Sequence, residues 1–382
     1  MTAASGPAGS ATVGALAAAI AAAFPPQWAE AWDKIGLLAG DPDAPAGRVL
    51  CALDPTSATL RAAREAGAST VLTHHPVYLQ SPVPVPGFGS AGVVFEAVRD
   101  GIALVNAHTN LDRSPEGGDA LPLAVGLKVL APLERSVQPM ELVTVYAPSD
   151  AQAAIVEAMT AAGAGRIGQY AGCAFSTPGE GGFTPLGGAQ PVAGIPARDR
   201  AGDDPAVRMT AQELRIEMVA APGTGAGVAA AARAAHPYEE PLIAVSAVSM
   251  TRGAARLGRL CEPSAPTTVG ELARAVGASL ECTPRIWGDP DVAVATVATA
   301  SGSGGSLVRD AVDAGATVLL TGELRYHDAL DALGSGLALI EAGHDATEWP
   351  MVPLLARAAG LTPGLDQADI VVAQRETLWR TA

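Results

Sequence analysis

RVLCALDPTSATLRAAREAGASTVLTHHP, residues 48–76, is the stretch that decides the class of fold. Val49–Leu53 is a short apolar run that predicts a buried strand, and Ser69–Thr73 predicts a second one. Ser57–Ala66, which lies between them, predicts a helix. Apolar strands that alternate with helices favour a parallel sheet covered by helices on both faces. The stretch therefore predicts an α/β fold.

The same alternation of strand and helix recurs on both sides of this stretch. Ile102–Asn106 predicts a third strand, and the Ala-rich run Gly14–Phe24, followed by two prolines, predicts an N-terminal helix. Six further elements are predicted near the C-terminus: strands Val292–Ala298, Thr317–Leu320 and Leu337–Ile340, and helices Leu307–Ala314, Asp328–Leu333 and Thr347–Ala358. We interpret both groups as halves of one α/β core with a largely parallel or mixed sheet.

The middle of the chain has a different pattern, in which strand, helix, a long irregular region, strand, helix and strand follow one another. This order is typical of a ferredoxin-like α+β unit. We therefore predict three segments: residues 1–137 and 251–382 as the two halves of the core, and residues 138–250 as an insert. The predicted elements of the insert are Leu142–Tyr146, Ala151–Ala161, the Gly/Pro-rich stretch Gly163–Asp204, Glu213–Val219, Gly227–Ala235 and Leu242–Val248.

The composition excludes several classes of protein. The chain has 382 residues, 49% of them hydrophobic, which is enough to bury large cores and excludes general disorder. Its 24 basic and 39 acidic side chains give a net charge of −15 without a basic patch, so we expect no direct nucleic-acid partner. The longest early apolar run, Val13–Phe24, is too short to cross a bilayer. The cysteines form no CxxC pair, and we expect a cytoplasmic protein without a membrane span.

Histidines and carboxylates follow three of the predicted strands. His74 and His75 come directly after a strand, and a proline then turns the chain, so both rings can face one crevice. His344 and Glu348 are four residues apart after a later strand, which on a helix places them on one face. Asp112 follows the third strand. Taken singly, the two histidines could also be surface loop residues, His344 and Glu348 fit an ordinary helix pair better, and a lone aspartate is most often a turn or helix cap. Together they indicate a site, because parallel strands present their ends at one edge.

Three imidazoles and two carboxylates are a donor set that Zn, Mn, Fe or Co accepts. Five ligands exceed one tetrahedral site, and they leave open positions over two divalent metal ions if one carboxylate, for which Glu348 is the candidate, bridges the ions. Two such ions lower the pKa of a shared water and supply a hydroxide at neutral pH. Hydrolysis is therefore the chemistry that this donor set predicts.

Five short motifs stand in order along the chain. They are Trp32-Asp33-Lys34-Ile35-Gly36-Leu37, Thr73-His74-His75-Pro76, His108-Thr109-Asn110-Leu111-Asp112, Thr321-Gly322-Glu323 with Tyr326-His327-Asp328, and Gly343-His344 with Thr347-Glu348. Over about residues 30–350 they resemble the Nif-three-like dinuclear-metal proteins, whose members carry the name GTP cyclohydrolase 1 type 2 homologue. Two departures from the family pattern are Lys34, where Asn is usual, and Ala300-Ser301-Gly302, where Cys-Gly-Gly is frequent.

The resemblance implies an α/β/α core and a specific set of metal ligands. That set is His74, His75, Asp112, His344 and Glu348. It also implies a toroidal homohexamer whose metal sites face an internal cavity. Two stretches of the insert, residues 163–170 and 236–241, look like the PII-like insert of the longer bacterial members.

Further residues are weaker candidates for the chemistry. His327 is the first candidate for proton transfer, against a structural role, and His108 is the second. Ser303, Gly304 and Gly305 lie between a strand and a helix, where backbone amides can cradle a phosphate, although a simple tight turn explains them equally well. The segment that contains His236 precedes a strand of the insert, which favours a packing or inter-subunit role over a third metal site.

Two functions from different classes fit these predictions. The first is a metal-dependent hydrolase of a nucleotide or another phosphorylated small molecule, of which a GTP cyclohydrolase 1 type 2-like activity is the version that the resemblance implies. The second is a non-enzymatic hexamer that binds, delivers or senses metal, with a regulatory insert. The name of the family in eukaryotes suggests a third, partnership with a transcription factor, and the net charge argues against direct DNA contact.

Overall fold

The structure, a computed structural model, describes residues 11–376 except 31, 136, 169, 187–188, 197–207 and 252. The chain forms two compact units. Unit 1 comprises Met1–Arg135 and Gly253–Ala382, and unit 2 comprises Ser136–Arg252. Within the described part of the chain, no helix is both long and apolar enough to cross a membrane.

The first sheet of unit 1 contains the predicted strand–helix–strand stretch. Its elements are α1 (Val13–Ala23), β1 (Gly36–Ala39), β2 (Arg48–Ala52), α2 (Ser57–Glu65), β3 (Ala68–Thr73), α3 (Gly89–Asp100), β4 (Ala103–Asn106) and β16 (Ile370–Val372). The strand order is β1–β4–β3–β2–β16. The last four strands are parallel, and β1 runs antiparallel to β4.

The second sheet of unit 1 is built mainly from the C-terminal half of the chain. Its elements are α4 (Thr109–Asp112), α5 (Pro115–Ala124), β5 (Lys128–Pro132), β11 (Arg259–Glu262), α8 (Val269–Leu280), β12 (Arg285–Trp287), β13 (Val297–Ser303), α9 (Val308–Asp313), β14 (Val318–Glu323), α10 (Tyr326–Gly334), β15 (Ala338–Glu341), α11 (His344–Glu348) and α12 (Val352–Ala359). The strand order is β12–β15–β14–β13–β11–β5, and β13, β14 and β15 are parallel.

Both faces of the first sheet are covered, as the continuous apolar strands predict. Along β2, Val49 and Cys51 point into one core, whereas Leu50 points into another. Successive side chains of a strand point to opposite faces, so a run without polar residues requires cover on both sides. The prediction of an α/β fold with a mixed sheet is confirmed in type, but unit 1 contains two such sheets.

The largest differences between the predicted and the observed elements of unit 1 are in the boundaries of helices and strands near the C-terminus. The predicted helix Thr347–Ala358 is divided into α11 and α12, because Pro350 and Pro353 lie within it and lack the N–H that a continuous helix requires. The predicted strand Val292–Ala298 starts five residues later, at Val297 in β13.

Unit 2 is an antiparallel sheet with two helices on one face. Its elements are β6 (Val137–Ala147), α6 (Gln152–Ala161), β7 (Phe175–Phe183), β8 (Ile195–Pro196), β9 (Met209–Ala220), α7 (Gly225–Ala235) and β10 (Ile243–Thr251). The strand order is β10–β6–β9–β7, and β8 pairs with β9. Val143 and Ile216 from the sheet and Ile155 and Val228 from the helices share one buried core.

Strand β7 lies in the Gly/Pro-rich stretch that the sequence indicated to be irregular. It carries three glycines, a composition that is depleted in strands. The neighbouring strand explains one of them, since a Cβ atom on Gly181 would lie 2.2 Å from the Glu213 carboxylate of β9. The missing side chains leave room for long polar side chains of the adjacent strand. Tertiary context therefore overrides local propensity here.

A buried arginine fixes the start of α5, the helix that follows Asp112. Arg259 on β11 is 3% exposed and forms an ion pair with Asp119. Its guanidinium also donates hydrogen bonds to the carbonyl oxygens of Ser114 (3.3 Å) and Pro115 (2.8 Å). A buried charge is tolerated only when it is paired and hydrogen-bonded in this way.

We expect Arg259→Ala to lower the free energy of unfolding by about 3 kcal/mol, because it removes a buried guanidinium together with its ion pair to Asp119 and its hydrogen bonds to the backbone. Arg309→Ala is the matched control, since Arg309 is largely exposed and pairs only with Asp313 one turn away. The control should cost about 0.3–0.5 kcal/mol. Urea unfolding of the two variants measures both values, and equal losses would contradict the role given to Arg259.

Candidate metal centre

The parallel strands of the first sheet bring three polar segments to one edge. The register pairs Ala52 of β2 with Thr73 of β3, and Thr73 with Asn106 of β4, so all three strands end together. His74 and His75 follow β3 at this edge. The amide of His74 donates to the carbonyl of Ala52 (3.3 Å). The backbone of β2 therefore still fixes the chain at the position of His74, one residue after β3 ends.

The second sheet presents the remaining histidine in the same manner. His344 begins α11 directly after β15, and Glu348 lies one turn later on the same helix. His344 Nε2 lies 3.1 Å from Glu348 Oε1. The amide of Gly343 donates to the carbonyl of Gly322 (3.0 Å), which fixes the start of the helix against the neighbouring strand exit.

Glu348 lies at the centre of the site, and the structure brings the other four sequence-predicted ligand residues around it. Its Oε2 is 2.8 Å from His75 Nε2, and its Oε1 is 3.8 Å from His74 Nε2. Asp112, at the end of α4, has its Oδ1 3.6 Å from His74 Nε2.

Two sets of three residues share Glu348. Ligand atoms of His75, His344 and Glu348 lie within 4.8 Å of one another, and so do those of His74, Asp112 and Glu348. Each set could hold a metal ion. Glu348 Oε1 lies near a histidine of each set, at 3.1 Å from His344 Nε2 and 3.8 Å from His74 Nε2. A carboxylate that two sets of ligands share is typical of a two-ion site.

Each of the three histidines has its Nδ1 engaged by an oxygen acceptor. The partners are the carbonyl oxygen of Ala107 for His74 (3.0 Å), Asp54 for His75 (2.7 Å) and Glu323 for His344 (3.0 Å). An acceptor at Nδ1 places the hydrogen of a neutral ring there and leaves the lone pair on Nε2. Outer carbonyl and carboxylate groups orient metal-binding histidines in this way.

Three buried atoms at the site have no hydrogen-bond partner. They are His74 Nε2, Asp112 Oδ1 and Glu348 Oε2. Glu348 Oε2 is close to His75 Nε2, but the geometry is not that of a hydrogen bond. Buried polar atoms are nearly always paired, so three unpaired ones on predicted ligands require a partner. The residues therefore fit a metal ion.

The end of β13 passes directly over this cluster. Gly302 has φ +61°, and a Cβ atom there would lie 2.1 Å from Glu348 Oε1 and 3.1 Å from His344 Nε2. Only glycine meets both the backbone and the space requirement. The amide of Gly302 donates to the hydroxyl of Thr347 (3.0 Å), and this hydrogen bond holds the end of β13 against α11.

The electrostatics of the cluster favour protons on the imidazoles when no cation is present. Burial alone would lower the pKa of His75, but Asp54 and Glu348 raise it to about 10. The hydrogen bond to Glu348 raises the pKa of His344 to about 9. Burial would raise the pKa of Glu348, yet the surrounding imidazoles hold it well below its usual value.

The remaining predicted residues lie outside the five-residue cluster. His327 is exposed on α10, and no described contact joins it to the cluster. In the predicted phosphate loop, Ser303 is exposed, and the amide of Gly304 donates to the carbonyl of Glu323 (3.2 Å). A Cβ atom on Gly305 would lie 2.7 Å from the Asp328 carboxylate, which is an unfavourable neighbour for a phosphate. The roles of these residues stay predictions.

The structure places two further residues, His108 and Asp33, close to the five-residue cluster. From the sequence, His108 had a low rank and Asp33 had no role. His108 follows β4 at the same edge as His74, and its side chain contacts the buried carboxylate of Asp33. The signal available in the sequence was the position of His108 directly after a strand.

An α/β unit with two mixed sheets and a histidine–carboxylate cluster at their strand ends is the class of protein that the structure defines. This class can be compared with known protein families. A model of the family Duf34/NIF3 (NGG1p interacting factor 3) matches residues 11–376. The chain belongs to this family, and the resemblance noted from its motifs is confirmed.

Several relatives of this chain carry the name GTP cyclohydrolase 1 type 2 homolog. The one from Mycobacterium leprae is 37% identical over 337 residues, which cover 86% of this chain and 84% of that protein. The one from Mycobacterium tuberculosis is 36% identical, with 86% of each chain covered. The one from Bacillus subtilis is 34% identical over 328 residues, with 84% of this chain and 85% of that protein covered.

Solved structures agree with this assignment. A Bacillus cereus protein related to NIF3 is 28% identical, with a TM-score of 0.61 and coverage of 97% of this chain and 99% of that one. A Staphylococcus aureus protein is 24% identical, with a TM-score of 0.63 and coverage of 98% and 99%. The latter is a likeness of fold alone.

We expect the chelator-treated protein to lose stability as the pH rises from about 6.5 to 10. Both His75 and His344 have raised folded-state pKa values, so the stability that their protonation provides is fully present below pH 6.5 and is lost as the pH passes 9 and 10. The loss should be about 3 kcal/mol or more. Urea unfolding at several pH values measures it.

The control for this profile is a histidine outside the cluster. His327→Gln should leave the pH dependence unchanged, because His327 is exposed on α10. His344→Gln should remove part of it. A flat profile for the unsubstituted chain between pH 6.5 and 10 would contradict the electrostatic picture of the site.

Proposed function

We propose that this chain binds two divalent metal ions through His74, His75, Asp112, His344 and Glu348. The observation that carries the proposal is the position of Glu348, which belongs to both sets of three close ligand atoms. One carboxylate shared between two sets fits two neighbouring ions better than one ion. The three unpaired buried atoms of the cluster support the same assignment.

The donor set restricts the identity of the ions. Mixed imidazole and carboxylate ligands suit Zn, Fe, Mn or Co, whereas Mg and Ca prefer oxygen ligands alone. When bound, two such ions lower the pKa of a water held between them and supply a nucleophile at neutral pH. Asp54 and Glu323 hold the imidazoles of His75 and His344 in orientation through their Nδ1 atoms.

We further propose that the protein is a hydrolase of a nucleotide or another phosphorylated small molecule. A cavity of about 610 Å³ borders the cluster, a size that suits a small molecule. Arg285 lines this cavity together with His75 and His344, and its guanidinium is largely exposed. It provides a positive group for an anionic part of the substrate. The name shared by the relatives supports a GTP cyclohydrolase-like version of this activity.

A second candidate function is a non-enzymatic metal-binding or metal-sensing protein with unit 2 as a regulatory insert. A separate observation favours it, since unit 2 has its own cavity of about 870 Å³. Tyr146, Arg215 and Tyr238 are among the residues that line it. A PII-like character of unit 2 and a toroidal homohexamer belong to this proposal.

We expect two transition-metal ions per chain in the purified protein and a loss of both in Glu348→Gln, because a neutral amide is a poor bridging ligand. Glu341→Gln is a matched control, since Glu341 is a buried carboxylate of the same sheet that binds Trp287 Nε1 (2.7 Å) instead of the cluster. Elemental analysis of the three proteins measures the stoichiometry. A chain without metal, or a Glu348→Gln variant with full metal content, would contradict the site.

We expect the metal-loaded protein to turn over GTP or a phosphoester, and Glu348→Gln to abolish the turnover. The measurement is chromatographic analysis of nucleotide products together with an assay of released phosphate. The control is Glu262→Gln, which should retain turnover, because Glu262 on β11 pairs with Lys128 (2.6 Å) and does not line the cavity. A metal-loaded protein that is inert across nucleotides and phosphoesters would favour the second candidate function over the hydrolase.

A further inference from the structure

His108 has the same arrangement as the three histidines of the cluster. Its Nδ1 lies 2.8 Å from Asp33 Oδ1, just as Nδ1 of His74, His75 and His344 each has an oxygen acceptor. With an acceptor at Nδ1, the neutral ring carries its hydrogen there and presents the lone pair of Nε2 on the other side.

The side chain of Asp33 contacts the segment that contains His108, and it also accepts a hydrogen bond from the backbone amide of Lys34 (2.7 Å). Its side chain is fully buried and also accepts hydrogen bonds from the backbone amide (3.0 Å) and the hydroxyl (2.5 Å) of Thr109. Burial would raise the pKa of Asp33, but the contacts with His108 and Thr109 lower it to about 2. Asp33 is therefore a fixed anion that orients the ring.

The ring of His108 lies beside the first two histidines of the cluster. Its centroid is 5.3 Å from that of His74 and 5.6 Å from that of His75. One ring nitrogen from each of the three histidines lies within 4.8 Å of the other two. Nε2 of His74, one of the three, has no hydrogen-bond partner.

The other two histidines of the chain lack this arrangement. His236 uses both ring nitrogens within unit 2: Nε2 lies 2.9 Å from the carbonyl oxygen of Tyr146, and Nδ1 accepts from the amide of Tyr238 (3.0 Å). His327 is exposed on α10. An Nδ1 held by an oxygen acceptor, on a ring that lies beside the cluster, therefore separates His108 from His236 and His327.

We propose that His108 is a further ligand of the metal centre, which binds one of the two ions through Nε2, and that Asp33 is its positioning residue. This inference rests on the proposed metal centre and adds a fourth imidazole to it. Four imidazoles beside two carboxylates favour ions that prefer nitrogen, such as Zn, Co and Fe, over Mn.

The test uses His108→Asn in the full-length, chelator-treated chain. The Asn side-chain amide can still donate to Asp33. The variant therefore removes Nε2, the proposed ligand atom, and keeps the buried carboxylate of Asp33 paired. Co²⁺ is titrated against a competing chelator while the visible d–d absorption is followed. We expect at least one ion to bind about 10-fold or more weakly, with a changed d–d band. Unchanged affinity and spectrum would overturn the proposal.

The controls separate this proposal from the metal centre itself. Failure of the unsubstituted chain to bind Co²⁺ would refute the proposed function, whereas normal binding by both that chain and His108→Asn would refute only the role of His108. His327→Asn should bind Co²⁺ as the unsubstituted chain does. Asp33→Asn should weaken binding alone but have no further effect in the presence of His108→Asn, because it acts through that ring.

A second measurement needs no variant. X-ray absorption by the zinc-loaded chain distinguishes imidazole ligands by their multiple scattering. We expect scattering from the four imidazoles of His74, His75, His108 and His344 over the bound ions. Scattering that fits only the three imidazoles of the five-residue set would overturn the proposal.

Discussion

The carboxylate of Glu348 is the group on which the structure of unit 1 depends. It is 4% exposed, and it remains ionised because imidazoles from two sheets surround it. His74 and His75 come from the first sheet, whereas His344 and Glu348 come from the second. A buried charge is costly unless partners surround it. The ends of the two sheets must therefore meet at this point.

The groups outside the cluster determine its geometry. Carbonyl and carboxylate oxygens hold the far side of each inward-facing ring, and the acceptors are Ala107, Asp54, Glu323 and Asp33. Most of them lie at strand exits, so the parallel register positions ligands and anchors at the same time. The backbone also contributes to this geometry, because Gly302 lacks a side chain and so allows the end of β13 to approach Glu348. This order before any ion binds reduces the cost of assembling the site.

The acidity of the chain bears on the proposed substrate. The net charge of −15 disfavours the approach of a phosphorylated molecule. Asp54, Glu323 and Asp345 line the cavity beside the cluster. Arg285 also lines it and pairs with a fourth carboxylate, that of Glu341 (3.0 Å). Bound divalent ions would offset these carboxylates. The proposed hydrolase therefore requires its metal for substrate attraction as well as for chemistry.

Much of this organisation could be predicted from the sequence, for identifiable reasons. The apolar run of β2 predicts a strand buried on both faces, and the residues after strand exits predict a shared edge. The glycine-rich β7 was not predicted, because the reason for one of its glycines, Gly181, is the Glu213 side chain of the neighbouring strand. The helix after His344 was predicted as one element, although its prolines divide it.

By itself, the sequence determined the α/β class, the family motifs and the five residues of the cluster, of which Glu348 is one. These follow from local patterns and spacing. Only the tertiary structure decided that unit 1 has two sheets, that His327 is exposed and that His108 lies beside His74. Asp33 and His108 are 75 positions apart, and the contact between them depends on how β4 pairs in the sheet. Such a pairing is a property of packing, and no local pattern in the chain specifies it.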